Sequence, residues 1–128
     1  MTNPIDAIRA IHNAFRRDMT LIDAAALDAA RGKPGLAATI ERFRFFNEVL
    51  TQHADDEDSV MGPLLESVAP SVYAAYEQDH RGLDAAFAAL SNAVSLRDPL
   101  ETARATKAFK FHLDLHLDKE DAHMYRII

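Results

Sequence analysis

The stretches HADDEDSVMGPLL, beginning at His53, and HLDKEDAHMYRII, beginning at His116, are nearly the same text set 63 residues apart, with His, Asp, Glu, Asp and Met falling on themselves. A chain that repeats itself at half its length is built from two like halves. In each copy a glutamate follows the histidine by four residues, His53 with Glu57 and His116 with Glu120. On a helix that spacing stacks the two side chains on one face. The fold must turn that face either to water or to something that takes an imidazole and a carboxylate together.

Helix is what the rest of the chain favours. Alanine is abundant, and 4 glycines and 5 prolines are few enough for each to act as punctuation. "TNPIDAI" reads as a helix start, with Asn3 as N-cap, Pro4 at the first helical position and Asp6 where the helix dipole favours negative charge. This first helix runs to about Arg31 and stops at "RGKPG". The second fills Leu36 to about Met61 and ends at Gly62 and Pro63. After a short connector containing Pro70, the third covers about Val72 to Val94. "RDPLE" then supplies Asp98 as N-cap, Pro99 in the first turn and Glu101 to complete a capping box, and the fourth helix continues to about His123. The pattern predicts an all-α fold. One domain over residues 1–128, with four helices of roughly 20 to 28 residues and short connections, makes an antiparallel up-down-up-down four-helix bundle.

Charge and composition exclude several partners. A net charge of −6, with Lys and Arg dispersed along the chain, argues against a nucleic-acid surface. No apolar run approaches the roughly 20 residues of a membrane span, and the N-terminus lacks a basic segment followed by an apolar one. The expectation is a cytoplasmic protein with no membrane partner; a homodimer is compatible with the sequence. With no cysteine, a thiol nucleophile and a zinc–thiolate site are excluded, so any metal must use His, Asp and Glu. The acidic run "DDED" lacks the glycine and spacing of a calcium loop and reads as the polar face of the second helix.

The apolar stripes carry polar intruders. Helix 1 offers Ile5, Ile8, Ile11, Phe15, Met19 and Ile22, with His12 between Ile8 and Phe15. Helix 2 offers Leu36, Ile40, Phe43, Phe46 and Leu50, continuing through His53 and Glu57 to Met61. Helix 3 offers Tyr73, Tyr76, Leu83, Phe87 and Leu90, with His80 one turn past Tyr76. Helix 4 offers Leu100, Phe109 and Leu113, then His116, Glu120 and Met124. Each helix thus points a histidine at the core, and two add a glutamate. Burying an unpaired carboxylate or imidazole costs several kcal/mol, and six together would unfold a domain stable by about 5–15 kcal/mol. A pair of divalent or trivalent cations compensates, since these groups are metal ligands. His12, His53 and Glu57 from one half and His80, His116 and Glu120 from the other would meet as two equivalent ligand sets at a dinuclear centre. A sulfur-free set in a bundle core suits iron or manganese better than structural zinc. A haem between histidines is the other cofactor such a bundle can hold, but the carboxylates argue against it.

The neighbouring residues have blander readings. His112, one turn before His116, is either an additional ligand or a solvated or supporting group, and His123 caps the helix or packs the C-terminus. Asp58 and Asp121 fall off the inner stripe as solvated or supporting carboxylates. Tyr76 is a candidate to line the pocket as a proton donor or redox-active phenol. The phenylalanines of "FRFF" and Met19, Met61 and Met124 read as core filler.

The order His…HxxxE…His…HxxxE, together with the tail "HLDKEDAHMYRII", resembles the hemerythrin-like (HHE cation-binding) domains over essentially the whole chain. The resemblance implies a four-helix bundle with a non-haem diiron centre, liganded by His12, His53, Glu57, His80, His116 and Glu120, with Glu57 and Glu120 as bridging carboxylates. Where the oxygen-carrying hemerythrins have HxxxH in the third helix, this chain has Asp84 four residues after His80; where their fourth helix has a His and an Asp five apart, it has His116 and Glu120. The pattern is closer to bacterial hemerythrin-like proteins and to the iron-sensing domain of an F-box ubiquitin-ligase subunit. That resemblance implies chemistry with O₂, peroxide or nitric oxide as the small ligand, or iron sensing.

Overall fold

Among the described residues four long helices follow one another, α1 (Pro4–Ala30), α2 (Leu36–Val68), α3 (Pro70–Ser95) and α4 (Pro99–Lys119), the last running directly into a π-helical turn, Glu120–Met124. The computed structural model describes residues 4–124 and, within them, the side chains of all but residues 4–7, 57, 58, 60, 61, 123 and 124. Among the described residues there is no strand, and no helix is long and apolar enough to cross a membrane. The fold is all-helical. The proposed cap Asn3 lies outside the described residues.

The helix ends follow local chemistry. α1 closes in a Schellman motif: Gly32 N–H donates to Ala29 O and Lys33 N–H to Asp28 O, with Gly32 at φ 86° in the left-handed region that glycine adopts freely. α4 opens on Asp98, whose carboxylate accepts from the backbone N–H of Leu100 and Glu101. The reciprocal half of the predicted capping box is replaced, because the Glu101 carboxylate accepts from Arg104.

One predicted boundary is overturned. α2 does not end at Gly62–Pro63 but runs through both to Val68. An interior proline costs about 3 kcal/mol through its missing N–H and its clash with the preceding turn. Beyond it, however, Leu65 is buried against Tyr76, with Ile8, Ala69, Val72 and Tyr73 around them. Burying one such side chain contributes about 1.5–3 kcal/mol, so packing offsets what Pro63 opposes. The connector to α3 shrinks to Ala69, and Pro70 becomes the first residue of α3, where its missing N–H is no loss.

Each helix packs on two others, α1 on α2 and α4, and α3 on α2 and α4, and the packing onto α4 is the more extensive. The larger core cluster draws Phe15, Met19 and Ile22 from α1, Phe43 and Phe46 from α2, Leu90 from α3, and Phe109 and Leu113 from α4. Two positions on the predicted stripes, Ile11 and Leu100, face outward instead, as does Phe45 of "FRFF", predicted to fill the core. Phe45 is turned about 200° around the helix from Phe43, away from the face that Phe43 and Phe46 share. His12 and His116 sit between this cluster and the smaller one around Leu65 and Tyr76, and that gap is where the polar side chains collect.

Candidate metal centre

Five of the six predicted ligand side chains are described, and they gather in the gap between the clusters. His12 (0% exposed), His116 (7%) and Glu120 (3%) are buried; His53 and His80 are partly buried. The imidazoles pair within each half of the sequence. His12 and His53 meet edge to face at 5.4 Å between ring centroids, and His80 and His116 at 4.7 Å. The Nε2 atoms of His80 and His116 are 3.3 Å apart. Glu57, the sixth, lies on α2, but its side chain is outside the described residues.

The carboxylate of Glu120 lies between the two pairs. Its Oε1 is 2.5 Å from His116 Nε2, and its Oε2 is 3.7 Å from His12 Nε2. Two donors bonded to one ion at about 2.1 Å each lie within about 4.2 Å of one another. By that measure His12 with one oxygen of Glu120, His116 with the other, and His80 with His116 are each pairs close enough to share an ion. A carboxylate whose two oxygens face different imidazole groups has the arrangement of a bridge. As they stand, no three of the described His, Asp and Glu side chains close into a group that would hold an ion.

A cavity of about 350 Å³, half open to solvent, adjoins these groups. His53, His80, His116 and Glu120 line it together with Leu50, Leu83, Phe87 and Phe109, and Asp55 and Asp84 also border it. His112 is not among its lining residues. It is exposed, with its ring near Gly82 and against Phe111. Tyr76 does not line the cavity either: its hydroxyl donates to the carbonyl of Lys119 at 2.9 Å, where α4 passes into the π turn. Its role as a proton donor to the pocket is therefore corrected. That proton is held by the backbone, and the ring supports His116 edge to face at 5.9 Å between centroids. His123 lies outside the described side chains.

The sequence reading missed one participant, Arg16. Its guanidinium donates to Asp121 Oδ2 at 2.7 Å and to Asp118 Oδ1 at 2.9 Å, while Asp121 Oδ1 lies 2.9 Å from His12 Nδ1. Burial is the largest single influence on Arg16 and on Asp121 and works against charge on both. The hydrogen bonds and attraction between the two, joined by Asp118 for Arg16 and by His12 for Asp121, outweigh it, leaving Arg16 above its ordinary pKa and Asp121 below. The signal was present in the sequence, because Arg16 stands four residues after His12 on the same helix face.

The donor chemistry fits a cation. It is nitrogen and oxygen without sulfur, mostly buried, and built from imidazoles around a carboxylate, a set suited to iron or manganese. An all-helical chain with such an interior is, as a class, a helical cation-binding domain. The family model described as Hemerythrin HHE cation binding domain matches residues 3–128, and the chain belongs to that family. Searches of curated proteins and of solved structures gave no match.

Proposed function

We propose that this chain is a single-domain, antiparallel four-helix bundle that holds two non-haem iron ions and reacts with a small oxidant: O₂, peroxide or nitric oxide. His12, His53 and Glu57 would serve one ion and His80, His116 and Glu120 the other, with the two carboxylates bridging. The observation that carries this reading is the placing of Glu120, buried, with one oxygen toward His116 and the other toward His12. Two bound irons supply a reversible change between ferrous and ferric states and coordination positions open to a small ligand.

The chain's own part is placement and shielding. Leu50, Leu83, Phe87 and Phe109 give the cavity an apolar wall beside the imidazoles, which limits water there and strengthens electrostatic interaction with whatever binds. Asp55 and Asp84 bring negative charge to the same cavity, favouring entry of cations and neutral molecules over anions.

A second reading, an iron-dependent module without turnover, draws support from the lesser packing of α2 on its neighbours. In it, the free energy of metal binding would become folding free energy. Anaerobic ferrous loading followed by exposure to oxygen or peroxide separates the readings. The proposal expects two irons per chain, the near-ultraviolet bands of an oxo-bridged diferric pair and peroxide consumption abolished by Glu120→Ala. Two irons with no turnover, and lost helicity on chelation, select the second reading. A colourless protein holding zinc, a haem spectrum, or no bound metal contradicts both.

A further inference from the structure

The imidazole of His12 is gripped at one nitrogen and presents the other. Asp121 Oδ1 lies 2.9 Å from Nδ1, while Nε2 faces Glu120 Oε2 at 3.7 Å. Asp121 and Glu120 are consecutive, yet they meet opposite edges of one ring. In an α-helix, neighbouring side chains diverge by about 100°. The π turn that begins at Glu120 has more residues per turn, which narrows that angle and lets both carboxylates turn toward α1. Asp121 is itself anchored: Arg16 Nη2 donates to its other oxygen at 2.7 Å, and Arg16 Nη1 is tied to Asn13 at 2.9 Å.

An ionised carboxylate only accepts hydrogen bonds. With Asp121 at Nδ1, that nitrogen keeps a proton, so the nitrogen that gives up its proton to a cation is Nε2, on the side of Glu120. We propose that Asp121, held by Arg16, is the positioning residue of the His12 arm: it sets the Nδ1–H tautomer and ring orientation that present Nε2 to a cation. This inference rests on the cation-binding function proposed above and assigns to Asp121 and Arg16 a part in it. A carboxylate behind a ligating imidazole fixes its tautomer and raises its basicity, and removal of such a group typically lowers metal affinity 10–100-fold. Without Asp121 the ring is free to carry its proton on Nε2, and each binding event must then move it.

The test combines ¹⁵N NMR of histidine-labelled, metal-free protein with ferrous-ion affinity measured on the same samples, the His12 signals being assigned by their loss in His12→Gln. In wild type, titrated upward in pH until the His12 ring is neutral, the proton that remains should be on Nδ1. In Asp121→Ala it should show a mixture of tautomers, with affinity lower by about 10–100-fold. Asp121→Asn keeps an acceptor without the charge and should fall between the two; it also decides the matter if the alanine variant fails to fold. Arg16→Met should lower affinity less than Asp121→Ala. A folded Asp121 variant with the wild-type His12 tautomer and wild-type affinity overturns the inference, as does a wild-type His12 protonated at Nε2 alone. A wild type that binds no ferrous ion overturns the proposed function, and the tautomer comparison still decides whether Asp121 sets His12.

Discussion

The two copies of the repeat begin with the same histidine and glutamate spacing and end as different structures. From His53, α2 continues as ordinary α-helix through Gly62 and Pro63 to Val68. From His116, α4 goes only to Lys119 before it widens into a π turn at Glu120. His116 and Glu120 are buried, whereas His53 is only partly so. Further up each helix the same offset relates Phe46 to Phe109 and Leu50 to Leu113. Both phenylalanines are buried, but Leu113 is wholly enclosed while Leu50 packs at the margin. One histidine–glutamate pair is therefore set in a helix that packs extensively on its neighbours and the other in a helix that packs on them less. Like sequences do not ensure like support.

That contrast is open to measurement. The largest expected difference comes from cutting the same side chain in both halves. Leu113→Ala should destabilise the protein by about 2–5 kcal/mol, the range for a fully buried leucine, and Leu50→Ala by less than half as much. Denaturant unfolding curves of the two variants give the numbers, and equal losses would mean that the halves are equally packed.

Next in size is the effect of metal. Ferrous ion at about one hundred times its dissociation constant should add about 2.7 kcal/mol to stability for each ion bound. The gain in amide hydrogen-exchange protection should be concentrated in α2 around His53, because α4 already packs more extensively on α1 and α3 than α2 does. Protection that rises evenly along both helices would show that α2 needs no metal to hold it.

The helix starts differ as well. α4 has the Asp98 cap, while α2 begins after Gly35 with no side-chain cap. Asp98→Ala should cost about 1 kcal/mol, seen as a lower thermal midpoint, with the loss of protection confined to the first turn of α4. The smallest expected effect is at the turn before that cap, where Arg97 has φ 52°, a left-handed conformation that glycine adopts without a Cβ clash. Arg97→Gly should raise stability by about 0.5–1 kcal/mol, a gain reduced by the greater freedom glycine brings to the unfolded chain.

Much of this was written in the residues. Helical spacing put histidines on inner faces, and His12, His116 and Glu120 are buried where that spacing placed them. Breakers marked the end of α1 and the start of α4 because Gly32 and Asp98 act through local backbone geometry that a sequence carries entire. Pro63 misled because its local preference is offset by the burial of Leu65 against a residue eleven positions further on, Tyr76. The link from Asp121 to His12 was hidden because it depends on the π turn, which no spacing rule announces. Exposed Ile11, Phe45 and Leu100 show the limit of stripe reading: a helix face is wider than the part of it its neighbours cover.

The central claim is that Glu120 lies between two metal ions. Iron-edge anomalous diffraction from crystals loaded anaerobically with ferrous iron tests it most directly. The account predicts two anomalous peaks flanking the Glu120 carboxylate, one on the side of His12 and the other on the side of His80 and His116. A single peak, or iron bound away from that carboxylate, would contradict it.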